Sequence, residues 1–441
     1  MKTICKIEAM ATVRSLTIGS LLITVIAQAP MASAEVKFRG FGSIVAGQTL
    51  SASNDQTVLG YTDTIDFKRE SLFALQAEAD LDENLTATMQ LISRGNNSYD
   101  TELEWAYVTY AIQDNLKLSA GRIRAPYYRY SDFLDVHYAL NWITGPERVY
   151  AFDFPGYDGL SLLHNTSLGP IDSSLQLTYG STDGFSGSTP LHLENQMGIN
   201  WVGTWEWLTV RSSYLQANID IDLASVDSVV SGLTTLSTGM QQVAAGFGAA
   251  GEGFSPYATA YSNAASLMLS GVDEALIKDD QGRFMGAGFS IDRNALVVDS
   301  EFTYYEADHS MVPKTTAYYL TVGWRFGPTL VYTTYSREKA DAPFAVANTV
   351  SDLTSMANSL APYAGVPQLT GLVTGATQLA YGAKGLRDTL VASEADLVNV
   401  NIGLRWDFHP SAAFKVAYEQ HNDRIKDQDG SVIRAAIDLV F

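Results

Sequence analysis

The sequence predicts an all-β fold: a 16-stranded antiparallel transmembrane β-barrel with an inward-folded third loop and helical outer-loop inserts. Three observations carry that expectation. Apolar and polar residues alternate with period two in segment after segment, the connections are short and long by turns, and the chain ends on an aromatic strand residue, Phe441.

Composition excludes several classes. A mean hydropathy of +0.00 is too low for a polytopic helical membrane protein. With 48 acidic against 28 basic residues the net charge is −20, and no basic face is available to meet nucleic-acid phosphates. One cysteine permits neither a disulfide framework nor a Cys-based zinc cluster. The 23 Tyr, 18 Phe and 7 Trp are too many for a disordered acidic chain.

Residues 1–34 read as a secretory signal peptide. Lys2, Lys6 and Arg14 precede an uncharged run from Leu16 to Ile26, and small residues end at Ala32, Ser33 and Ala34. Cleavage after Ala34 removes Cys5 and takes the net charge from −20 to −22, because Glu8 leaves with the three cations.

Strands are expected at 36–46, 72–81, 85–93, 102–111, 116–122, 159–166, 173–180 and 196–205. The second half adds 208–217, 283–292, 296–306, 315–326, 329–336, 396–408, 413–421 and 431–441. In 315–326, for example, Tyr318, Leu320, Val322, Trp324 and Phe326 share one face, opposite Tyr319, Thr321 and Arg325. Short turns such as Asp82–Asn84, Gln113–Asn115, Arg293–Ala295 and Gly327–Pro328 carry the residues tight turns demand. The others are long: 47–71, 94–101, 123–158, 181–195, 218–282, 307–314, 337–395 and 422–430. A secreted β-sandwich or adhesin has no reason to sort its loops by parity. A barrel has one, since lipid forbids unpaired backbone and only a closed sheet satisfies every strand. Sixteen strands enclose an aqueous lumen, which accounts for the polar second face.

Signal peptide, sixteen alternating strands, loop parity and terminal Phe441 together resemble the Gram-negative outer-membrane porins, across the whole mature chain. The resemblance implies an outer-membrane location, a homotrimer, and passive diffusion of small hydrophilic solutes and ions. It also implies partners in outer-membrane lipid and lipopolysaccharide, and in the barrel-assembly machinery, which would read Phe441. No cofactor, no metal and no enzymatic activity are expected.

Porins fold the third long loop into the lumen. Here that loop, Ile123–Asp158, carries Tyr127, Tyr128, Tyr130, Phe133, Leu134, Tyr138, Trp142 and Tyr150, which suit packing against the inner wall rather than water. Arg122, Arg124, Arg129 and Arg148 oppose Asp132, Asp135, Glu147 and Asp153 as constriction candidates. Two readings of these charges stand: a transverse field that sorts solutes, or mutual pairing that pins the loop. The Pro-Glu-Phe-Gly-Gly-Asp signature of enteric general porins is missing, so their constriction geometry is not carried over. Alternation places Gln76, Glu78, Asp80, Asp299, Glu301, Arg325, Asn399, Asn401, Arg405, Lys415, Glu419, Arg434 and Asp438 on the lumen wall.

The loops 218–282 and 337–395 carry helix-spaced apolar residues and read as two helical hairpins that pack into one cap. A Gly-rich break is expected at Gly246–Gly253. The cap serves either as a lid or docking surface, or as surface decoration. Gly246, Gly248 and Gly251 fit G-x-G-x-x-G but follow no strand, so dinucleotide binding is set aside. Asp308, His309 and Ser310 make no convincing triad, and Asp220, Asp222, Asp279 and Asp280 read as solvated acids.

The acidity predicts modest cation preference, which the four arginines oppose. The alternatives are a substrate-selective channel gated by the apolar inserts, or a surface adhesin or receptor barrel.

Overall fold

The computed structural model describes residues 35–52, 57–151, 156–186, 189–221, 226–275, 280–308, 312–341, 346–391 and 394–441. Residues 1–34, where the signal peptide is expected, lie outside them.

Sixteen strands run in order: β1 (Val36–Ala52), β2 (Leu72–Asp82), β3 (Leu85–Arg94), β4 (Thr101–Gln113), β5 (Leu116–Arg124), β6 (Gly156–Leu168), β7 (Ile171–Ser186) and β8 (Thr189–Trp205). They continue with β9 (Leu208–Ile221), β10 (Asp280–Arg293), β11 (Leu296–Ala307), β12 (Lys314–Phe326), β13 (Thr329–Asp341), β14 (Ala395–His409), β15 (Ala412–Asp423) and β16 (Gln428–Val440). Each pairs antiparallel with its neighbours, and β1 closes on β16 with Phe41 opposite Val440, so the barrel has no free edge. Past that ladder Phe441 exchanges two backbone hydrogen bonds with Gly40, of 2.7 and 2.9 Å. Its ring lies where a Gly40 side chain would stand, 2.2 Å from an ideal Cβ, which is why that residue is glycine.

The expected alternation holds with period two. On β12, Leu320, Val322, Trp324 and Phe326 are 42–63% exposed on the outside. Ala317, Tyr319 and Thr321, facing inward, are 0–1% exposed. Outward aromatics cluster toward the short-turn end, where Trp205 lies near Trp207 and Trp406 near Phe408. Tyr318 and Tyr335 sit nearer the other end, giving the two girdles that interfacial rings favour. No described helix is long and apolar enough to cross a membrane.

The fourth outer loop differs from expectation. β7 and β8 extend to Ser186 and from Thr189, so most of 181–195 is a ladder, with an irregularity between Gly180 and Thr182. Its Gly, Ser, Thr and Asp read as loop by composition, but backbone pairing is indifferent to that above the apolar belt.

The inserts form four helices: α1 (Val226–Ala250) and α2 (Ser255–Ala275) between β9 and β10, α3 (Val346–Ser359) and α4 (Thr370–Val391) between β13 and β14. One buried core joins them, including Leu233, Met240, Phe247, Tyr261, Leu353 and Ala376. The Tyr261 hydroxyl donates to the Ala376 carbonyl at 2.9 Å, tying α2 to α4. The break falls at Gly251 (φ 117°), within the expected Gly246–Gly253 segment, while Gly246 itself is helical. Gly246 gives room for the Leu372 side chain, which would lie 2.6 Å from an added Cβ. Helix packing, not chain breaking, uses that glycine.

Candidate pore constriction

Between β5 and β6 the third loop turns into the barrel and crosses its interior, with short 3₁₀ turns at Ser131–Phe133 and His137–Ala139. Its aromatics Tyr127, Tyr128, Tyr130 and Trp142 do pack inward, sharing with Leu140 and Val149 a buried cluster against wall residues of β9 to β13 such as Leu215, Phe284 and Tyr319. Trp142 and Tyr319 meet edge to face at 5.5 Å.

Polar anchors then fix the loop around most of the wall. At its start, Arg124 donates to the Ser131 carbonyl and to Glu104, at 2.8 and 2.7 Å, and pairs with Asp135. Arg94 binds the same two carboxylates. Next, Tyr130 donates to Asp299, while Tyr150 and the Arg129 amide donate to Glu301, all at 2.8 Å. Arg211, 3.1 Å from Glu301, also donates to the Tyr127 carbonyl. The Trp142 indole N–H donates to Thr334 at 2.9 Å. Lys415 Nζ donates to the carbonyls of His137 and Trp142, each at 2.6 Å, and pairs with Asp438. Arg434 bridges Glu70, Glu419 and Thr144. Arg148 reaches Asn399 and lies 3.9 Å from Glu338.

The expected residues therefore divide. Asp299, Glu301, Asn399, Asn401, Lys415, Glu419, Arg434 and Asp438 face inward but are buried, and Asp299, Glu301, Asn399, Lys415 and Arg434 contact the third loop directly. Gln76, Glu78 and Asp80 lie on β2, where Asp80 pairs with Lys37 and Glu78 lies 3.7 Å from Arg39. Arg325 and Arg405 stand toward the short-turn end, paired with Asp292 and Asp407. Arg122 is a correction. It shares the outward face of Leu118, and its pair with Asp158 is exposed on both sides. It sits on β5, and the strand's alternation turns it away from the lumen. Asp153 lies outside the described residues.

Two charged loop side chains, Asp132 and Glu147, are exposed and make no hydrogen bond or ion pair among the described residues. Asp132 is within electrostatic reach of Tyr107 on β4 and Tyr157 on β6. The wall on that side presents Thr109 bonded to Ser119 and Gln176 bonded to Ser161. Its low-dielectric surroundings raise the Asp132 carboxyl above the ordinary range, with Arg211 and Arg124 pulling it back. Partial desolvation by the surrounding protein likewise raises Glu147, against the pull of Arg148 and Arg434.

Arg94, Glu104 and Arg211 are loop-anchoring positions that the sequence reading missed. Arg211 had a signal, since it alternates with outward Val210 on an expected strand. Arg94 and Glu104 stand near strand ends, where period two gives no guidance.

A Gram-negative porin family model matches residues 20–361. Solved structures share the architecture at low identity. An OmpT loop-deletion mutant of Vibrio cholerae is 11% identical, with TM-score 0.50 and coverage of 92% of this chain and 99% of that one. The outer-membrane channel DcaP of Acinetobacter baumannii is 10% identical, with TM-score 0.50 and coverage of 93% and 99%. An anion-selective porin from Comamonas acidovorans is 9% identical, with TM-score 0.50 and coverage of 92% and 100%. No curated protein matches in sequence. At such identities the structural likeness is one of fold, and the family match supplies the rest: the chain belongs to the Gram-negative porin family and forms an outer-membrane channel for passive diffusion.

Proposed function

We propose that solutes pass between the third loop and the β2–β7 wall, and that Asp132 gives this path a modest preference for cations. The observation that carries the reading is the fate of the charges. Arg124 and Arg148 are held by partners, Arg122 faces outward, and Asp132 keeps a free carboxylate beside a wall of hydroxyls and amides. An unpaired charge in a narrow lumen weights ions by sign, because low-dielectric walls focus its field.

Glu147 adds to the same sign. Beyond the pore, cleavage after Ala34 would release the chain for assembly, and Phe441, 71% exposed at the barrel's closing seam, would be open to the barrel-assembly machinery. A homotrimer surrounded by lipid and lipopolysaccharide fits the continuous outward apolar belt. The channel reading needs no catalytic group and no cofactor. Reversal potential across a planar bilayer under a salt gradient tests it: cation sign supports the reading, and clear anion preference overturns it.

A further inference from the structure

On the outer side of the third loop, β8 to β11 and Tyr127 enclose a cavity of about 250 Å³. We propose that it is a binding site for a small uncharged solute with an apolar body, of the size of one substituted aromatic ring. The site stands apart from the ion path beside Asp132.

A water-filled lumen calls for polar inward residues, and lower on these strands it has them. The inward series of β9 includes Arg211 and Ser213, and that of β11 includes Asp299, Glu301 and Thr303. Toward the outer ends the same alternation turns apolar. β9 continues with Leu215, Ala217 and Ile219, and β11 with Tyr305 and Ala307. Leu193 of β8 stands opposite Ile219 in the ladder, with Leu191 one pleat further out. The third loop accounts for part of this change. Tyr127 meets Phe284 edge to face at 5.2 Å and shares a buried cluster with Leu215. Leu191, Leu193 and Ala217 belong to a second cluster, with Ile219 packed against it, and all four border the cavity. Apolar wall beside a cavity gives an apolar solute surface to cover.

The lining selects the class of solute. Its charged members, Arg283 and Glu306, pair with each other at 3.3 Å, and Arg283 also holds Asp308 at 2.6 Å. Gln196 donates to the Tyr127 hydroxyl at 3.0 Å and accepts from Thr182 at 2.9 Å. An ion entering here would give up hydration for a leucine and alanine wall, which is costly. An apolar cavity of about 150 Å³ takes benzene, so this one has room for a ring with a short substituent. The rings of Phe284 and Tyr305 in the lining suit an aromatic guest. The space is open to solvent, since Ala151 on its rim is exposed and Ile219, Tyr305 and Val312 are half-buried.

Benzyl alcohol is the probe, with myo-inositol as a ring of similar size and polar surface. Titration calorimetry on the detergent-purified full chain, with protein-free micelles subtracted, should show one saturable site for benzyl alcohol and none for inositol. Ala217→Phe fills the cavity and Leu193→Asn makes its wall polar. Each variant, checked for folding by heat-modifiable migration, should weaken benzyl alcohol binding about tenfold or more. If one variant does not fold, the other decides. No saturable binding by the wild type, equal binding of inositol, or unchanged affinity in a folded variant overturns the site. Calorimetry reads occupancy without current, so a protein that binds benzyl alcohol yet prefers anions would overturn the Asp132 path and leave this site standing.

Discussion

Lys415 and Asp438 form an ion pair of 2.8 Å across β15 and β16, and neither side chain is exposed at all. In an open sixteen-stranded barrel both would stand in water. Here Lys415 also donates to two carbonyls of the third loop, and Asp438 accepts from Ser43 of β1. One wall lysine thus fastens the loop across the lumen.

Lys415→Met should leave Asp438 buried without its counter-charge, a change that costs about 3–5 kcal/mol in buried pairs. The loop should loosen, giving larger and noisier single-channel currents. Removing both charges, in Lys415→Met with Asp438→Leu, should recover much of the barrel's heat resistance without restoring the quiet current, because the carbonyls of His137 and Trp142 still lack their donor. Thermal melting and single-channel recording separate the two effects.

Gly246→Leu should drive α1 away from α4, since even a Cβ at that position would stand 2.6 Å from Leu372. The expected result is faster protease cleavage within 226–275 and 346–391, with the barrel itself intact. Gly239→Leu is a second case, with Leu379 as the obstructed side chain, 2.7 Å from an added Cβ.

Cation preference should fade on acidification. Asp132 and Glu147 both have carboxyls raised above their ordinary values by desolvation, so each loses its charge as pH falls through that raised value. The midpoint of the selectivity change should lie above about 4, the usual carboxylate range. Reversal potentials measured from pH 8 down to pH 3 check the sign and the position.

The barrel was legible because one rule repeats sixteen times. Residues such as Leu320 and Thr321 take opposite faces wherever the strand lies, and a turn such as Arg293–Ala295 places Asn294 at positive φ where few other residues are at ease. The pore was legible only in part. Alternation tells that Lys415 and Glu301 point inward, but not that a loop nearly three hundred residues away from Lys415 lies over it. The aromatic content of Ile123–Asp158 announced a packed loop; which arginines its packing consumes depends on partners such as Glu104 that only the closed barrel brings near. Arg122 shows the limit most plainly, because its neighbour Ile123 turns inward and it does not.

The most direct test of the account is the reversal potential of Asp132→Asn beside the wild type under one salt gradient at neutral pH. A wild-type potential of cation sign that moves toward zero in the variant is the predicted result. A potential unchanged by the substitution, or anion-selective from the outset, would contradict the assignment of the path to the face that carries Asp132.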